Sequence, residues 1–485
     1  MASAIKNASY YTIGSVIRAA TSFILLPIFS NALGAEQYGV LNLLQTFSTI
    51  LGALMTLATE RSLFRLYYDY DTEERKTEFL STVFWTINGI SVIMLIMTIL
   101  TGGYLAHYLG DVNVWRVLLP TVLYTFFMSM INYSQVLMQV EQKGKYYLKI
   151  SVLLLVIYNV VSLLFLYYYS KTVEALVYGQ LIASFLVMPF AFGNVRKRIA
   201  FTFSIDILKS TLKYSIPIFI AVSFSWVLNM TDRLFIANMG TLEDAGIYSL
   251  ASKFTQLAVM LVGAVHQAYS PYFYNIANTT SYDVAKPKLI SANKVVTLIT
   301  CLSCVMIAMF IKPLLYLVFD SEYYGAVIFT YILCISTLFS QQCGLLNVMV
   351  YQNKKVKSMA AVVIVCGLLS LMLNYLFVPK WGALGAAISN LIVGLSLFGI
   401  TYILAQKNYY IPLSSSIMVF SLFVFAASGL VDVFLDNIWI NLSSKIVLFS
   451  LSCFIAYALK IIKKQELSSL KNKIIGLVVK TSENG

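Results

Sequence analysis

Long apolar stretches constrain this 485-residue chain more than any other feature. Hydrophobic residues make up 59% of the chain and charged residues only 11%, whereas about a quarter of a soluble domain is charged. A helix needs about 20 apolar residues to cross a bilayer. Fourteen stretches of this kind predict an all-α polytopic membrane protein with about 14 transmembrane helices and exclude an ordinary soluble enzyme. They are residues 11–33, 39–60, 79–101, 117–140, 148–169, 173–193, 214–238, 246–269, 288–311, 325–350, 358–379, 383–404, 414–434 and 442–462.

The basic residues predict how the chain is oriented. With a cytoplasmic N-terminus, 25 of the 34 Lys and Arg residues fall in cytoplasmic segments and five in outer segments. Because positively charged loops stay in the cytoplasm, this split predicts fourteen spans with both termini inside. The net charge of +13 is therefore attributed to cytoplasmic loops and not to nucleic-acid binding. The five outer residues are Arg116, Lys171, Lys312, Lys380 and Lys445.

Cysteine and histidine give little sign of a metal or redox site. All six cysteines lie in apolar stretches and are interpreted as small core residues. Cys301 and Cys304 have CxxC spacing, but they have no second pair or nearby histidine. His266 is interpreted as an interior histidine and not as a proton relay. No cleavable signal peptide is expected, because the first apolar stretch is too long for one.

Two cationic segments with regularly spaced apolar residues predict helices on the cytoplasmic leaflet. In residues 204–213, three apolar residues share one helical face and Ser204 is a candidate N-cap. Residues 463–480 repeat the pattern with lysines in between. A solvated linker is the alternative interpretation of both segments. The three apolar residues of the first segment are Ile205, Leu208 and Leu212.

A shift of 207 residues aligns two parts of the chain with one another. It pairs Asn31 with Asn238, Glu36 with Glu243, Gly39 with Gly246, and Phe47 with Phe254. At nearly the same shift, residues 174–179 lie over residues 382–387. Because each copy holds six spans, both copies cross the membrane in the same direction. Parallel repeats are a transporter architecture, in which the substrate binds between the halves.

The duplication divides the chain into five predicted parts. They are an N-lobe of six spans at residues 1–195, a cytoplasmic amphipathic connector at 196–213, a C-lobe of six spans at 214–405, two appended spans within 406–462, and a cytoplasmic tail at 463–485.

Several short motifs, in their order along the chain, resemble those of the polysaccharide flippases in the MOP (multidrug, oligosaccharidyl-lipid, polysaccharide) superfamily. The motifs are Leu33-Gly-Ala-Glu-Gln-Tyr-Gly39, Tyr214-Ser-Ile-Pro217, Asp232-Arg233, Gly246-Ile-Tyr248, Tyr269-Ser-Pro271 and Trp381-Gly-Ala-Leu-Gly-Ala-Ala387. The resemblance implies two six-helix lobes in a V-shaped arrangement similar to that of MATE transporters, followed by two C-terminal helices.

The same resemblance implies the activity and its setting. The substrate would be a polyprenyl-diphosphate-linked oligosaccharide, such as an O-antigen, capsule or exopolysaccharide repeat unit, in the bacterial inner membrane. Transport would proceed by alternating access and would be coupled to a proton or sodium gradient. No cofactor is expected. Membrane lipids, a polysaccharide polymerase and chain-length proteins would be the partners.

Charged residues inside the spans are the candidate site residues, because a charge in the hydrocarbon region normally faces protein or a water-filled cavity. Cations outnumber acids there, which favours an anionic substrate such as a diphosphate. The predicted substrate-binding residues are Arg18, Arg61, Arg233, Lys253 and Lys294. Alternatively, Arg18 and Lys294 reach the inner interface, and Arg61 anchors its helix to acidic lipid.

Asp232 and Glu60 are the candidate coupling residues. Asp232 lies at the same predicted depth as Lys253 on the next, antiparallel span, so a salt bridge between them is the alternative. The N-lobe counterparts of Asp232, Arg233 and Lys253 are Leu25, Leu26 and Thr46, so these charges are not part of the duplicated scaffold.

Three other functions are alternatives to the polysaccharide flippase. A multidrug or cation antiporter of the same superfamily requires an acidic, aromatic cavity, and a lipid II flippase differs from the first hypothesis only in its cargo. A membrane-embedded glycan polymerase or ligase requires a large outer loop with catalytic residues. The longest outer segment, residues 102–116, offers only His107 and Asp111, which disfavours catalysis.

Overall fold

In a computed structural model, residues 2–193, 195–353 and 355–458 are described. They are almost entirely helical, and no strand occurs in these ranges. The helices are α1 (Ala2–Ile24), α2 (Leu26–Thr56), α3 (Leu63–Leu66), α4 (Glu73–Tyr108), α5 (Leu119–Val140), α6 (Gly144–Tyr168), α7 (Val173–Gly193), α8 (Ile205–Met239), α9 (Leu242–Thr279), α10 (Tyr282–Val318), α11 (Ala326–Gln352), α12 (Val356–Asn408), α13 (Ser415–Phe434) and α14 (Ile438–Ala458).

The predicted all-α membrane fold is confirmed. Among the described residues, eleven helices are long and apolar enough to cross a membrane, and each of the fourteen predicted stretches overlaps a helix. Two predicted breaks each coincide with a glycine at which the helical backbone is interrupted and two helical segments meet. Gly34 in α2 has a φ of 73°, and Gly382 in α12 has a φ of 55°. Glycine adopts these values without the steric penalty of a side chain, so each glycine allows the chain to break between two helical segments.

The described residues divide into two compact units, with the boundary between Gly246 and Ile247. The first unit contains α1 to α8 and the first turn of α9. Within it, α5 packs against α2, α4 and α7, and α6 packs against α1 and α7. Side-chain hydrogen bonds reinforce this packing, since the hydroxyl of Tyr133 donates to the Leu80 carbonyl at 2.9 Å and that of Ser134 to the Ala191 carbonyl at 2.8 Å.

The segment between the two predicted lobes is held against α4. The amide of Ala200 donates to Ser81 Oγ at 2.8 Å, and the indole of Trp85 donates to the Ala200 carbonyl at 3.0 Å. Arg198 lies 2.6 Å from a carboxylate oxygen of Glu73 and 3.3 Å from one of Glu141. This connector is therefore a fixed part of the first unit.

The predicted interfacial helix at residues 204–213 is the beginning of α8. Ser204 is its N-cap, as the sequence predicts, and its hydroxyl accepts from the Ile207 amide. The helix does not end at Lys213 but runs on to Met239, and its 35 residues span about 52 Å at 1.5 Å per residue. The hydrocarbon core is only about 30 Å thick, so α8 has length to extend beyond it. The second predicted interfacial segment, residues 463–480, lies outside the described residues.

In the second unit, α11 packs against α10 and α12, and α10 packs against α13. Cys301, Cys304 and Cys334 are free and buried in one apolar cluster, as expected for core residues.

A buried ion network joins α13 and α14 to the rest of the second unit. Lys445 in α14 is fully buried, and its Nζ lies 2.7 Å from Asp432 Oδ1 in α13. Lys312 in α10 donates to the Asp432 and Leu435 carbonyls at 2.6 and 3.2 Å, and the Tyr331 hydroxyl donates to Asp432 Oδ2 at 2.7 Å. Lys312 and Lys445, which the basic-residue pattern assigns to outer segments, thus lie within α10 and α14. Both are buried helical residues whose charge is compensated by protein groups.

A polar cavity in the first unit

The candidate site is built on a tight turn at the end of α2. Leu57 and Ala58 follow the helix with φ values of 45° and 55°. These values are in the left-handed region, which costs a non-glycine residue roughly 1–2 kcal/mol. Residues 59–62 then form a short 3-10 helix that bears Glu60 and Arg61. Strained backbone of this kind often marks a functional segment.

Buried hydroxyl groups fix this turn. Thr59 Oγ1 donates to the Thr56 carbonyl at 2.7 Å, and Ser62 Oγ donates to the Thr59 carbonyl at 2.6 Å. All three residues are buried. The side chains of Glu60 and Arg61 are therefore held at a defined position.

Glu60 and Arg61 lie at a cavity of about 470 Å³, a size typical of ligand pockets. Helices α2, α5, α7 and α8 supply the remaining lining. The lining residues are Gln45, Ser48, Thr49, Gly52, Ala53, Thr56, Ala58, Glu60, Arg61, Tyr124, Thr125, Met128, Ser129, Asn132, Gln180, Phe219 and Val222.

The lining is polar but nearly neutral. Glu60 and Arg61 are its only charged members within the described residues. Three amide side chains come from three different helices, Gln45 from α2, Asn132 from α5 and Gln180 from α7. The cavity therefore offers many hydrogen-bonding groups and little net charge.

Glu60 is half-buried, with 16% of its side chain exposed. Its Oε1 lies 3.9 Å from Arg61 Nε, and its Oε2 has no hydrogen-bond partner among the described residues. Burial raises the pKa of the Glu60 carboxyl, and a hydrogen bond from Thr56 and the charge of Arg61 offset this only in part. Glu60 therefore places a partly desolvated carboxyl group at the cavity.

Arg61 is exposed over 53% of its side chain, so its guanidinium can reach a ligand at the end of the cavity. Arg65, four residues further along the chain, has a different partner because its guanidinium binds the carboxylate of Asp69. Among the predicted site residues, the structure thus brings Glu60 and Arg61 together at one cavity.

The other predicted site residues of the first unit do not line this cavity. Arg18 in α1 is half-buried, and its Nη2 donates to the Tyr147 hydroxyl at 3.3 Å. Arg233 in α8 is buried, its Nη1 lies 2.7 Å from Met230 Sδ, and its Nε has no hydrogen-bond partner in the described ranges. Asp232 is buried and has an interaction partner.

Lys253 and Lys294 belong to the second unit, where each is half-buried and engaged in an interaction. Their roles in substrate binding, like those of Arg18 and Arg233, stay predictions. His266 is half-buried in α9, and its ring packs against Gly344.

The sequence prediction missed the neutral lining residues. An amide within a transmembrane helix is unusual enough to indicate function, and Gln45, Asn132 and Gln180 each lie in a predicted span. The prediction used only charged residues and therefore missed these amides. The four-helix arrangement that collects these amides is a tertiary feature that no local pattern contains.

These features define a multi-pass membrane protein with a polar cavity within the first unit. The sequence profile of the family described as polysaccharide biosynthesis protein matches residues 28–328. This region is more than half of the chain, and the chain therefore belongs to that family.

Curated relatives come from Haemophilus influenzae. A protein of the Lsg locus is 24% identical over 275 residues, which cover 56% of this chain and 65% of the relative. A membrane protein of uncharacterized function is 24% identical over 289 residues, with the same coverage. The chain thus matches slightly less than two thirds of the length of these relatives.

Solved structures show the same fold. The lipid II flippase MurJ in an inward closed conformation has a TM-score of 0.71 at 19% identity, covering 93% of this chain and 99% of MurJ. An inward-facing MATE multidrug resistance transporter of the MOP superfamily has a TM-score of 0.62 at 15% identity, covering 81% of this chain and 93% of the transporter. At 15–19% identity this likeness is one of fold.

Proposed function

We propose that this protein is a flippase that moves a polyprenyl-diphosphate-linked oligosaccharide from the cytoplasmic to the outer leaflet of a bacterial inner membrane. Membership of the polysaccharide biosynthesis family supports the substrate class. The observation that carries the proposal is the cavity itself, in which one exposed arginine stands at the end of a neutral polar lining. Such a lining suits a substrate that combines an anion with a sugar.

The chemistry of the substrate matches Arg61 in particular. A diphosphate accepts strong, charge-assisted hydrogen bonds, and the planar guanidinium can donate two of them in parallel. Arg18, Arg233, Lys253 and Lys294 are further candidates to bind the diphosphate during transport. Both termini would be cytoplasmic, and alternating access would expose the site to each side in turn.

Glu60 is the better candidate for proton coupling. Its Oε2 has no hydrogen-bond partner among the described residues and its pKa is raised, so it can bind and release a proton as its surroundings change. Asp232 is buried and already engaged. Sodium coupling is the alternative, and a comparison of flipping driven by a proton gradient with flipping driven by a sodium gradient separates the two.

Gene deletion followed by mass spectrometry tests the proposed function. Cells without the protein should accumulate a polyprenyl-diphosphate-linked oligosaccharide and lose the surface polysaccharide made from it. Complementation with wild type or with Arg65→Gln should restore the polymer, whereas Arg61→Gln should not. Arg65 is the matched control because it does not line the cavity. Normal levels of both lipid and polymer in the deletion strain would contradict the proposal.

The structural similarities support two alternatives that the same experiment distinguishes. A multidrug antiporter, suggested by the MATE fold, would leave lipid-linked sugars unchanged and would alter drug resistance. A lipid II flippase, suggested by the MurJ fold, would cause lipid II to accumulate. The neutral lining disfavours the first of these, because a cationic drug requires an acidic site and Glu60 is the cavity's only acid among the described residues.

A further inference from the structure

We infer that the interior of this cavity is a glycan subsite, which binds neutral, hydroxyl-rich sugar residues next to the diphosphate while Arg61 holds the diphosphate at its end. This inference rests on the proposed function. It adds that the first unit recognises the sugars themselves, through groups that carry no charge.

The first observation is a set of uncommitted polar groups. Within the described residues, the side chains of Gln45, Ser48 and Asn132 form no hydrogen bond. Each amide has two N–H donors and a carbonyl acceptor, and the serine hydroxyl can both donate and accept. Sugar hydroxyls also donate and accept, so these groups complement a sugar better than they complement an anion or a cation.

The second observation concerns the lining hydroxyls that already donate. Thr49 and Thr125 each donate to the carbonyl four residues earlier at 2.8 Å, and Ser129 donates to the Phe126 carbonyl at 2.7 Å. With their protons so used, the oxygens of Thr49 and Thr125 keep lone pairs that can accept, whereas Ser129 Oγ also lies 3.5 Å from Ser91 Oγ. The two threonine oxygens can therefore accept from sugar hydroxyls, and they would repel the oxygens of a phosphate.

The charge and the size of the cavity also favour a glycan as its ligand. Glu60 when ionised balances Arg61, so the cavity offers no surplus positive charge to hold a diphosphate in its interior. Tyr124 and Phe219 add aromatic surface to the lining, which suits the apolar faces of sugar rings. A volume of about 470 Å³ is in the range for small ligands, so the cavity suits the first sugars and not a whole polyprenyl chain.

A binding experiment on the purified full chain in lipid nanodiscs tests this inference. The two probes are undecaprenyl diphosphate and the same lipid bearing one N-acetylhexosamine. Wild type should bind the sugar-bearing lipid at least about tenfold more tightly, the effect of one or two net hydrogen bonds. The double variant Gln45→Leu/Asn132→Leu should lose this preference and keep its affinity for the bare lipid.

The matched control is Asn159→Leu. Asn159 is a half-buried amide in α6 that donates to the Leu155 carbonyl of its own helix at 2.7 Å and does not line the cavity. The Asn159→Leu variant should keep the preference for the sugar-bearing lipid. Equal affinity of wild type for the two probes would overturn the glycan subsite while leaving the proposed function standing, and this comparison needs no variant to fold. Failure of wild type to bind either probe would overturn both.

Discussion

Gly39 and Gly246 meet backbone to backbone in the first unit. A β-carbon on Gly39 would lie 3.0 Å from the amide nitrogen of Gly246 and would collide with the Leu242 carbonyl. A β-carbon on Gly246 would lie 3.0 Å from the amide nitrogen of Gly39 and would collide with the Ala35 carbonyl. The contact is reciprocal and obeys the 207-residue offset found in the sequence, because Ala35 corresponds to Leu242 as Gly39 corresponds to Gly246. Small residues allow membrane helices to cross this closely.

Replacing Gly39 by alanine should therefore destabilise the protein. The added methyl group has no room against the Leu242 carbonyl, and overpacking of this kind typically costs about 1–3 kcal/mol. The control is Gly89→Ala, since Gly89 in α4 has open space where a β-carbon would be. Thermal unfolding of the two purified variants should show a lower Tm for Gly39→Ala only. Equal Tm values would contradict the close contact.

The ion network in the second unit should depend on its lysine. Lys445→Met leaves Asp432 buried without its closest cation, and breaking a buried pair in this way costs roughly 3–5 kcal/mol. We expect a large loss of Tm or of inserted protein. Lys380→Met is the control because Lys380 is exposed. Unchanged thermal stability of Lys445→Met would show that the pair does not anchor α14.

Replacement by glycine should change stability in opposite directions at two alanines near the end of α2. Ala58→Gly should raise stability by about 1 kcal/mol, because glycine tolerates the φ of 55° at this position. Ala53→Gly lies in the regular helix and should lower stability by a similar amount. Thermal unfolding of both variants measures the difference. A lower Tm for Ala58→Gly would contradict the left-handed conformation.

Glu60→Gln should change the pH dependence of stability. Burial raises the pKa of Glu60, so the folded protein binds this proton more tightly than the unfolded chain does. The ionised carboxylate therefore lowers stability at pH values above the raised pKa. As pH falls through that pKa towards the ordinary carboxyl value of 4.5, the penalty disappears.

The Tm of Glu60→Gln should accordingly exceed that of wild type at neutral pH and approach it in acid. If Glu60 couples transport to protons, the variant should also flip substrate at a rate independent of the pH gradient. A Tm difference that grows as pH falls would contradict the raised pKa, and a variant whose flipping still follows the gradient would remove Glu60 from coupling.

The membrane fold was predictable because each span is continuous in the sequence. The breaks at Gly34 and Gly382 were also visible, since polar and glycine residues interrupt apolar runs there. The burial of Lys312 and Lys445 could not be predicted from the sequence. A lysine at the end of an apolar run has the appearance of a loop residue, and its partner Asp432 lies on another helix that only tertiary packing brings near.

The candidate site was predictable only at Glu60 and Arg61. These residues are charged and mark the end of a span, whereas Gln45 and Asn132 are single neutral residues in otherwise apolar helices. Their proximity depends on how α2 and α5 pack, and hydropathy contains no information about that.

The most direct test of the proposed function is flipping in proteoliposomes. An undecaprenyl-diphosphate-linked oligosaccharide is placed in one leaflet, and its exposure to a glycosidase on the opposite side is followed over time. Wild type and Arg65→Gln should expose the sugar much faster than protein-free liposomes do, and Arg61→Gln should approach the protein-free rate. Wild type that leaves the sugar as protected as protein-free liposomes do, although folded and reconstituted, would contradict the proposal that this protein is a flippase.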